Sequence, residues 1–163
     1  MKESSIQILF QTYPDSTMLN RDDADLLEAA RKATGDAYAP YSNFRVGAAV
    51  RLINGKILSG SNQENASFPV GICAERVVLS AASATYPGVA IVSMAVTYVN
   101  ETDDANKPIS PCGICRQTLA EYQLRFNQPI SMILGGKTGE IYIINRATDL
   151  LPFAFSRLDL KSL

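Results

Sequence analysis

The chain has 163 residues, a formal net charge of -1, 47% hydrophobic and 19% charged residues, three cysteines and no histidine. That length suits one domain with one sizeable core, and the near-zero charge gives no electrostatic reason to expect nucleic acid as a partner, so a small neutral ligand fits better. Without imidazole, any zinc-type metal chemistry is confined to thiolate ligands.

The first eighteen residues show no clear hydrophobic period and contain Pro14, Asp15 and Ser16. Residues 1–18 therefore read as an extension of unknown structure, ahead of a single domain over 19–163. The apolar run near the start is too short for a signal sequence, and no later stretch is long enough to span a bilayer, so no membrane association is expected. Asn20 followed by Asp22 and Asp23 predicts a helix start, because a side-chain oxygen caps free amides and carboxylates favour the positive N-terminal end. Leu26, Leu27, Ala30, Ala33 and Ala37 supply its apolar stripe, and Gly35 predicts weakening toward its end.

A Pro-containing connection over 38–44 leads to a strand at 46–53, Asn54-Gly55 is a two-residue hairpin signal, and 56–60 returns antiparallel. A polar loop over 61–71 delivers the chain to Cys73, where a helix is predicted to begin and run to about Tyr86, stopped by Pro87-Gly88. Beyond Arg76 that helix carries no charge on any face. A helix that is apolar or small all round is buried all round, and one small sheet cannot cover both sides, so a neighbouring subunit is expected to cover the other. A β-rich run over 89–99, a polar loop over 100–108, a turn-then-helix unit over 112–126, and strand, glycine-rich turn and strand over 129–144 complete the order. The order predicts a layered α/β sandwich with a mixed sheet of about five strands.

The cysteines carry the chemistry. Cys73 lies in C-A-E-R, and Cys112 and Cys115 in S-P-C-G-I-C-R-Q. Three is an odd number and two are only three residues apart, which reads as thiols kept reduced in a cytoplasm rather than as a disulfide framework. Cys112 and Cys115 can point to one side of a helix's first turn, and Cys73 would open the other helix. Helix N-termini lower thiol pKa values and ready sulfur for metal. A structural zinc would need a fourth cysteine or a histidine, which the chain lacks, whereas a catalytic zinc keeps three protein ligands and a water. Glu75, two residues beyond Cys73, falls within reach of that water as a proton carrier. The plainer readings are an incidental C-x-x-C beside a buried core cysteine, a first-turn carboxylate that only compensates the helix dipole, and an Arg76 that makes a surface ion pair. Against them stands the combination: three cysteines, a non-ligand glutamate and a P-C-x-x-C second half form the pattern of the zinc nucleobase deaminases.

Around these residues the chain resembles the small cytidine deaminases. The resemblance runs in family order through Y-A-P-Y-S-N-F-R-V-G-A-A-V (38–50), G-S-N-Q-E-N-A-S-F (60–68), C-A-E-R (73–76), S-P-C-G-I-C-R-Q (110–117) and L-L-P-F-A-F (150–155). It implies a three-layer α/β/α sandwich, a homotetramer with pockets shared between subunits, and one Zn2+ per chain on Cys73, Cys112 and Cys115. The activity it implies is hydrolysis of cytidine and deoxycytidine to uridine and deoxyuridine with release of ammonia, a step of pyrimidine salvage. By the same resemblance Glu75 shuttles protons from the water to N3 and then to the departing amine, and Arg76 offsets the charge of three thiolates by donating hydrogen bonds to sulfur. The Ala74 amide and the Ser110 carbonyl are expected to hold the pyrimidine O2 and the exocyclic amine. Asn62 and Glu64, facing the same way on an extended segment, are expected to bind ribose. Phe44 is expected on the base, Ala66 and Phe68 beside the substrate, and Phe155 in the pocket of an adjacent subunit.

Phe68 departs from the family's usual tyrosine, Phe153 from a small residue, and Pro69-Val70-Gly71 from the usual approach to the metal helix. Deaminases acting on guanine or on bases in nucleic acids use a histidine ligand that this chain does not have. The blasticidin S type shares the three cysteines, but Arg76 and the Asn62/Glu64 pair favour cytidine. A non-catalytic, zinc-stabilised module would have no use for Glu75 beside an open coordination position.

Overall fold

Asn20 opens the first long helix as its sequence predicts: its side-chain oxygen accepts the amide of Asp23 at 2.9 Å, which satisfies one of the free donors of a helix start. The computed structural model describes residues 1–100 and 105–160. Its elements are β1 (Gln11–Tyr13), α1 (Arg21–Ala33), β2 (Phe44–Leu52), β3 (Ile57–Ser61), α2 (Ala74–Thr85), β4 (Ile91–Asn100), α3 (Gly113–Phe126), β5 (Ser131–Gly135), β6 (Ile141–Ile144) and the single-turn α4 (Arg157–Leu160). Part of the loop expected over 100–108, residues 101–104, lies outside the described residues.

The strands form one six-stranded sheet in the order β1-β6-β5-β4-β2-β3. Only β4 and β5 run parallel, so the sheet is mixed. Five strands were expected, and the sixth is β1, drawn from the segment read as an extension; it pairs antiparallel with β6 through Gln11↔Ile143 and Tyr13↔Ile141. Three residues are too few to display an alternation, and the Phe10 ring, 4.9 Å from that of Tyr142, adds a contact that no local pattern announces.

Period-two alternation divides the strands between two cores. Ala49, Ala95, Ile133, Ile141 and Ile143 meet Leu26, Leu27 and Ala30 of α1 on one face. Ala48, Val50, Met94, Val96, Met132 and Leu134 meet Val78, Leu79 and Ala82 of α2 and Leu119 of α3 on the other. The molecule is thus a three-layer α/β/α sandwich, with each fully buried Val, Leu, Ile or Met side chain contributing about 1.5–3 kcal/mol. Gly47 allows α1 to lie directly on β2, since a Cβ there would stand 2.0 Å from the Ala30 carbonyl oxygen.

Two local expectations shift. The β2–β3 reversal takes the four residues 53–56 rather than two, because of the Asn-Gly pair only Gly55 adopts a positive φ, 81°, whereas a type I′ turn needs both. In α2, Ala74, Glu75, Val78, Leu79 and Ala82 are buried while Ser80 and Ala84 are exposed and Val77 and Ala81 half-buried. Within one chain, therefore, the uncharged helix covers one face and leaves the other open.

Candidate active site

The sheet order brings the start of α2 beside the start of α3. Cys73 and Cys112 are the N-cap residues of these helices, and Cys115 follows in the first turn of α3. The Sγ of Cys112 lies 3.8 Å from that of Cys73 and 3.5 Å from that of Cys115, and all three sulfurs fall within 4.8 Å of one another. Tetrahedral thiolates at a zinc–sulfur distance of about 2.3 Å would be separated by about 3.8 Å. The donor set and its spacing therefore fit zinc. Cys115 is buried, Cys73 partly so and Cys112 exposed, which leaves an open side.

A hydrogen bond from the Cys115 thiol holds Cys73 down at about 6, against the cost of its partial burial. The same bond pushes Cys115 far up. Two residues on, Glu75 is 4% exposed. Burial raises its carboxyl above the ordinary glutamate value, and its own amide and the Cys115 thiol offset part of that rise. Arg76 is half-buried. Its positive charge lowers Cys73, and among the described residues its guanidinium reaches no sulfur by a hydrogen bond.

From the sulfurs a cavity of about 840 Å³ opens toward β2 and the loop after β3. Phe44, Asn62, Glu64, Phe68, Ala74, Glu75, Ser110, Cys73 and Cys112 all line it. The other expected site residues, Ala66, Arg76, Cys115 and Phe155, are absent from that lining. Phe155 is 62% exposed, with its carbonyl accepting from Gln117 Nε2 at 2.7 Å. Its neighbour Phe153 is 96% exposed at a φ of 60°, a conformation rare for a bulky side chain.

The wall opposite the cysteines is built by pairing backbone with side chains. The chain at 62–64 is clamped between Tyr38 and Ile72, with Tyr38 donating to the Asn62 carbonyl at 3.0 Å and Gln63 exchanging both backbone bonds with Ile72. This makes the segment extended, so Asn62 and Glu64 project to the same side. The Asn62 amide forks onto β2, accepting from Val46 N at 2.7 Å and donating to the Phe44 carbonyl at 3.0 Å. Glu64 accepts the Tyr41 amide at 2.9 Å and the Ser42 hydroxyl. Those bonds, the Ser42 hydroxyl first, hold its carboxyl below the ordinary glutamate value. Phe44 stacks on Tyr98 with ring centroids 4.9 Å apart and planes 16° from parallel. At the mouth Tyr41 meets Phe68 edge-on, 5.9 Å between centroids.

Sequence reasoning passed over Tyr41, Ser42, Val46, Ile72 and Ile109, which share the lining. For Ser42 a signal existed: a serine two residues before a strand's first residue commonly bonds the amide two positions on, and here it accepts from Phe44 N at 3.0 Å.

Residues 20–127 match the family described as the cytidine and deoxycytidylate deaminase zinc-binding region. The chain is 37% identical over 136 residues to a cytidine deaminase of Halalkalibacterium halodurans, an overlap of 83% of this chain and 96% of that one. A crystal structure of the cytidine deaminase from Burkholderia pseudomallei shares 41% identity and a TM-score of 0.69, covering 80% of this chain and 97% of that one. A blasticidin-S deaminase from Bacillus cereus is 26% identical over 141 residues, 85% of this chain and 96% of that one.

Proposed function

The chain belongs to the cytidine and deoxycytidylate deaminase family and is a zinc-dependent hydrolase of cytidine; from that premise we propose how its own residues carry the reaction. The observation that carries the reading is the placement of a buried carboxylate, Glu75, on the same cavity as Cys73 and Cys112, two of three sulfurs spaced for zinc. Held by Cys73, Cys112 and Cys115, the zinc supplies the Lewis acidity that makes a water nucleophilic near neutral pH.

Glu75 moves the protons. It takes one from the attacking water and passes it to N3 of the pyrimidine as C4 is attacked, then takes the second from the new C4 hydroxyl and gives it to the amine, which leaves as ammonia as the C4 carbonyl forms. Its burial suits it to this work, because a carboxyl raised from its ordinary value is a better base near neutrality. Ala74 and Ser110, beside the ligands on the cavity wall, offer a backbone amide to O2 and a backbone carbonyl to the exocyclic amine. Phe44, supported from behind by Tyr98, packs on the base. Asn62 and Glu64 take the sugar hydroxyls, their orientations already fixed by bonds to residues 41–46. Arg76 offsets the charge of the three thiolates.

The blasticidin S alternative is disfavoured by the lower identity on that side, 26% against 37%. Deoxycytidine is accepted along with cytidine, and the reaction belongs to pyrimidine salvage in the cytoplasm. Among the described residues no helix is long and apolar enough to cross a membrane. The uncharged open face of α2 and the exposed Phe155 support a homotetramer in which the C-terminal segment of one subunit closes the pocket of another. Light scattering on the purified protein checks this, and a monomer overturns it.

The function itself is tested by adding cytidine to protein of measured zinc content and following loss of cytosine absorbance together with ammonia release. Stoichiometric uridine and ammonia are expected. Absence of turnover with one zinc per chain overturns the reading.

A further inference from the structure

Cys112 is the most exposed of the three sulfurs, and no side chain caps its helix. Its direction therefore depends on the backbone at Pro111 and Cys112, a stretch reached from a loop rather than from a strand. Both carbonyls of that pair are held by one residue. The Arg116 backbone amide donates the helical bond to the Cys112 carbonyl at 2.9 Å, while its side-chain Nε donates to the Pro111 carbonyl at 2.8 Å. The same guanidinium reaches outward through Nη1 to the Leu150 carbonyl at 3.1 Å. Leu150 is a firm post, since the 3-10 turn Ala147–Leu150 is tied back to α3 by Gln123 Nε2 donating to Thr148 Oγ1 at 2.9 Å.

We infer that Arg116 is a positioning residue of the metal site: its guanidinium fixes the peptide plane between Pro111 and Cys112, and so aims the Cys112 sulfur at the zinc and the Ser110 carbonyl into the cavity. The inference rests on the zinc reading above. A planar guanidinium serves the two carbonyls from separate nitrogens, Nε and Nη1, a spread that the single nitrogen of an ammonium does not offer. Arg116 touches neither substrate nor metal, and it acts only through the loop it holds.

The test compares Arg116→Gln, Arg116→Lys and the wild type for the rate of zinc transfer to a chromogenic chelator, for kcat and KM with cytidine, and for Tm. Ile143→Val, which loosens the core on the far side of the sheet, controls for general destabilisation. Zinc transfer from Arg116→Gln is expected to be about 10–100-fold faster, with kcat falling more than KM rises and Arg116→Lys lying between. Unchanged zinc transfer in Arg116→Gln, or an acceleration that Ile143→Val matches at equal loss of Tm, overturns the inference. If Arg116→Gln does not fold, Arg116→Lys decides, and wild-type transfer rates in that variant overturn it. A wild type that holds zinc without converting cytidine refutes the proposed reaction, and the transfer rates still judge Arg116.

Discussion

Ser42 and Glu64, 22 residues apart in sequence, hold each other at the cavity wall: the Ser42 hydroxyl donates to the Glu64 carboxylate while accepting the amide of Phe44. One serine thus links the proposed sugar-binding carboxylate to the aromatic ring proposed to carry the base.

The acid limb of substrate binding follows from that link. Because the Ser42 hydroxyl and the Tyr41 amide lower the Glu64 pKa in the folded protein, the carboxylate contributes at pH values above its ordinary, unfolded range, and the contribution is lost only as pH falls through the lowered folded value. KM for cytidine is expected to stay level down into the ordinary carboxylate range. Ser42→Ala should raise KM severalfold with little change in kcat and move the acid rise of KM to higher pH. A KM–pH profile identical to the wild type's contradicts the link.

Glu75→Ala is expected to cut kcat by about 10²–10⁴-fold or more, the usual share of a positioned acid–base group. Zinc content should stay at one per chain. Tm should be unchanged or higher, since the variant removes a carboxyl whose burial disfavours its charge. Uridine formation at the wild-type rate rules out the proton-carrying role.

Zinc removal should destabilise the fold as well as stop turnover, because the metal joins the first turns of α2 and α3 and is bound by the folded state in preference to the unfolded one. Calorimetry before and after chelation should show a lower Tm that returns when Zn2+ is added. An unshifted Tm would mean that the helices hold their positions without it.

Gly47→Ala tests the contact between α1 and the sheet. Its Cβ would meet the Ala30 carbonyl oxygen at 2.0 Å and the Thr34 amide at 2.9 Å, both backbone atoms that cannot rotate away. Denaturant unfolding should show a loss of about 1–3 kcal/mol or more.

Deleting residues 1–13 should leave the cysteine site in place while uncovering the outer side of β6, whose Ile141–Ile144 is a short apolar strand. Unpaired edges of that kind template association. Turbidity on mild heating should rise earlier in the truncated chain than in the full one.

Elements with a long or punctuated pattern were legible in the amino-acid sequence. Asn20 and its acidic successors marked α1, Pro87-Gly88 ended α2, and the glycine-rich turn within 129–144 set β5 apart from β6. The candidate metal donors were legible because chemistry restricts them: with no histidine, the three cysteines were the set to look for, and the fold brings their sulfurs together. What escaped depends on contacts distant in sequence. β1 is defined by β6, some 130 residues away. Ser42 signals its local bond to the Phe44 amide, but its hold on Glu64 is visible only once Glu64 lies against it, and the work of Arg116 only once Leu150 does. Phe155 is a case of another kind, since a single chain leaves it exposed.

The pairing of β1 with β6 also bears on how the molecule is made. Residues 11–13 leave the ribosome about 130 residues ahead of residues 141–144, and the sheet cannot be completed before those follow. At roughly 5–20 residues per second the wait is on the order of ten seconds. During that time β1 has no strand to pair with and Phe10 lacks the Tyr142 ring it later packs against, an exposed apolar segment of the kind a holding chaperone takes. Completion of the sheet is thereby deferred until β6 has been made.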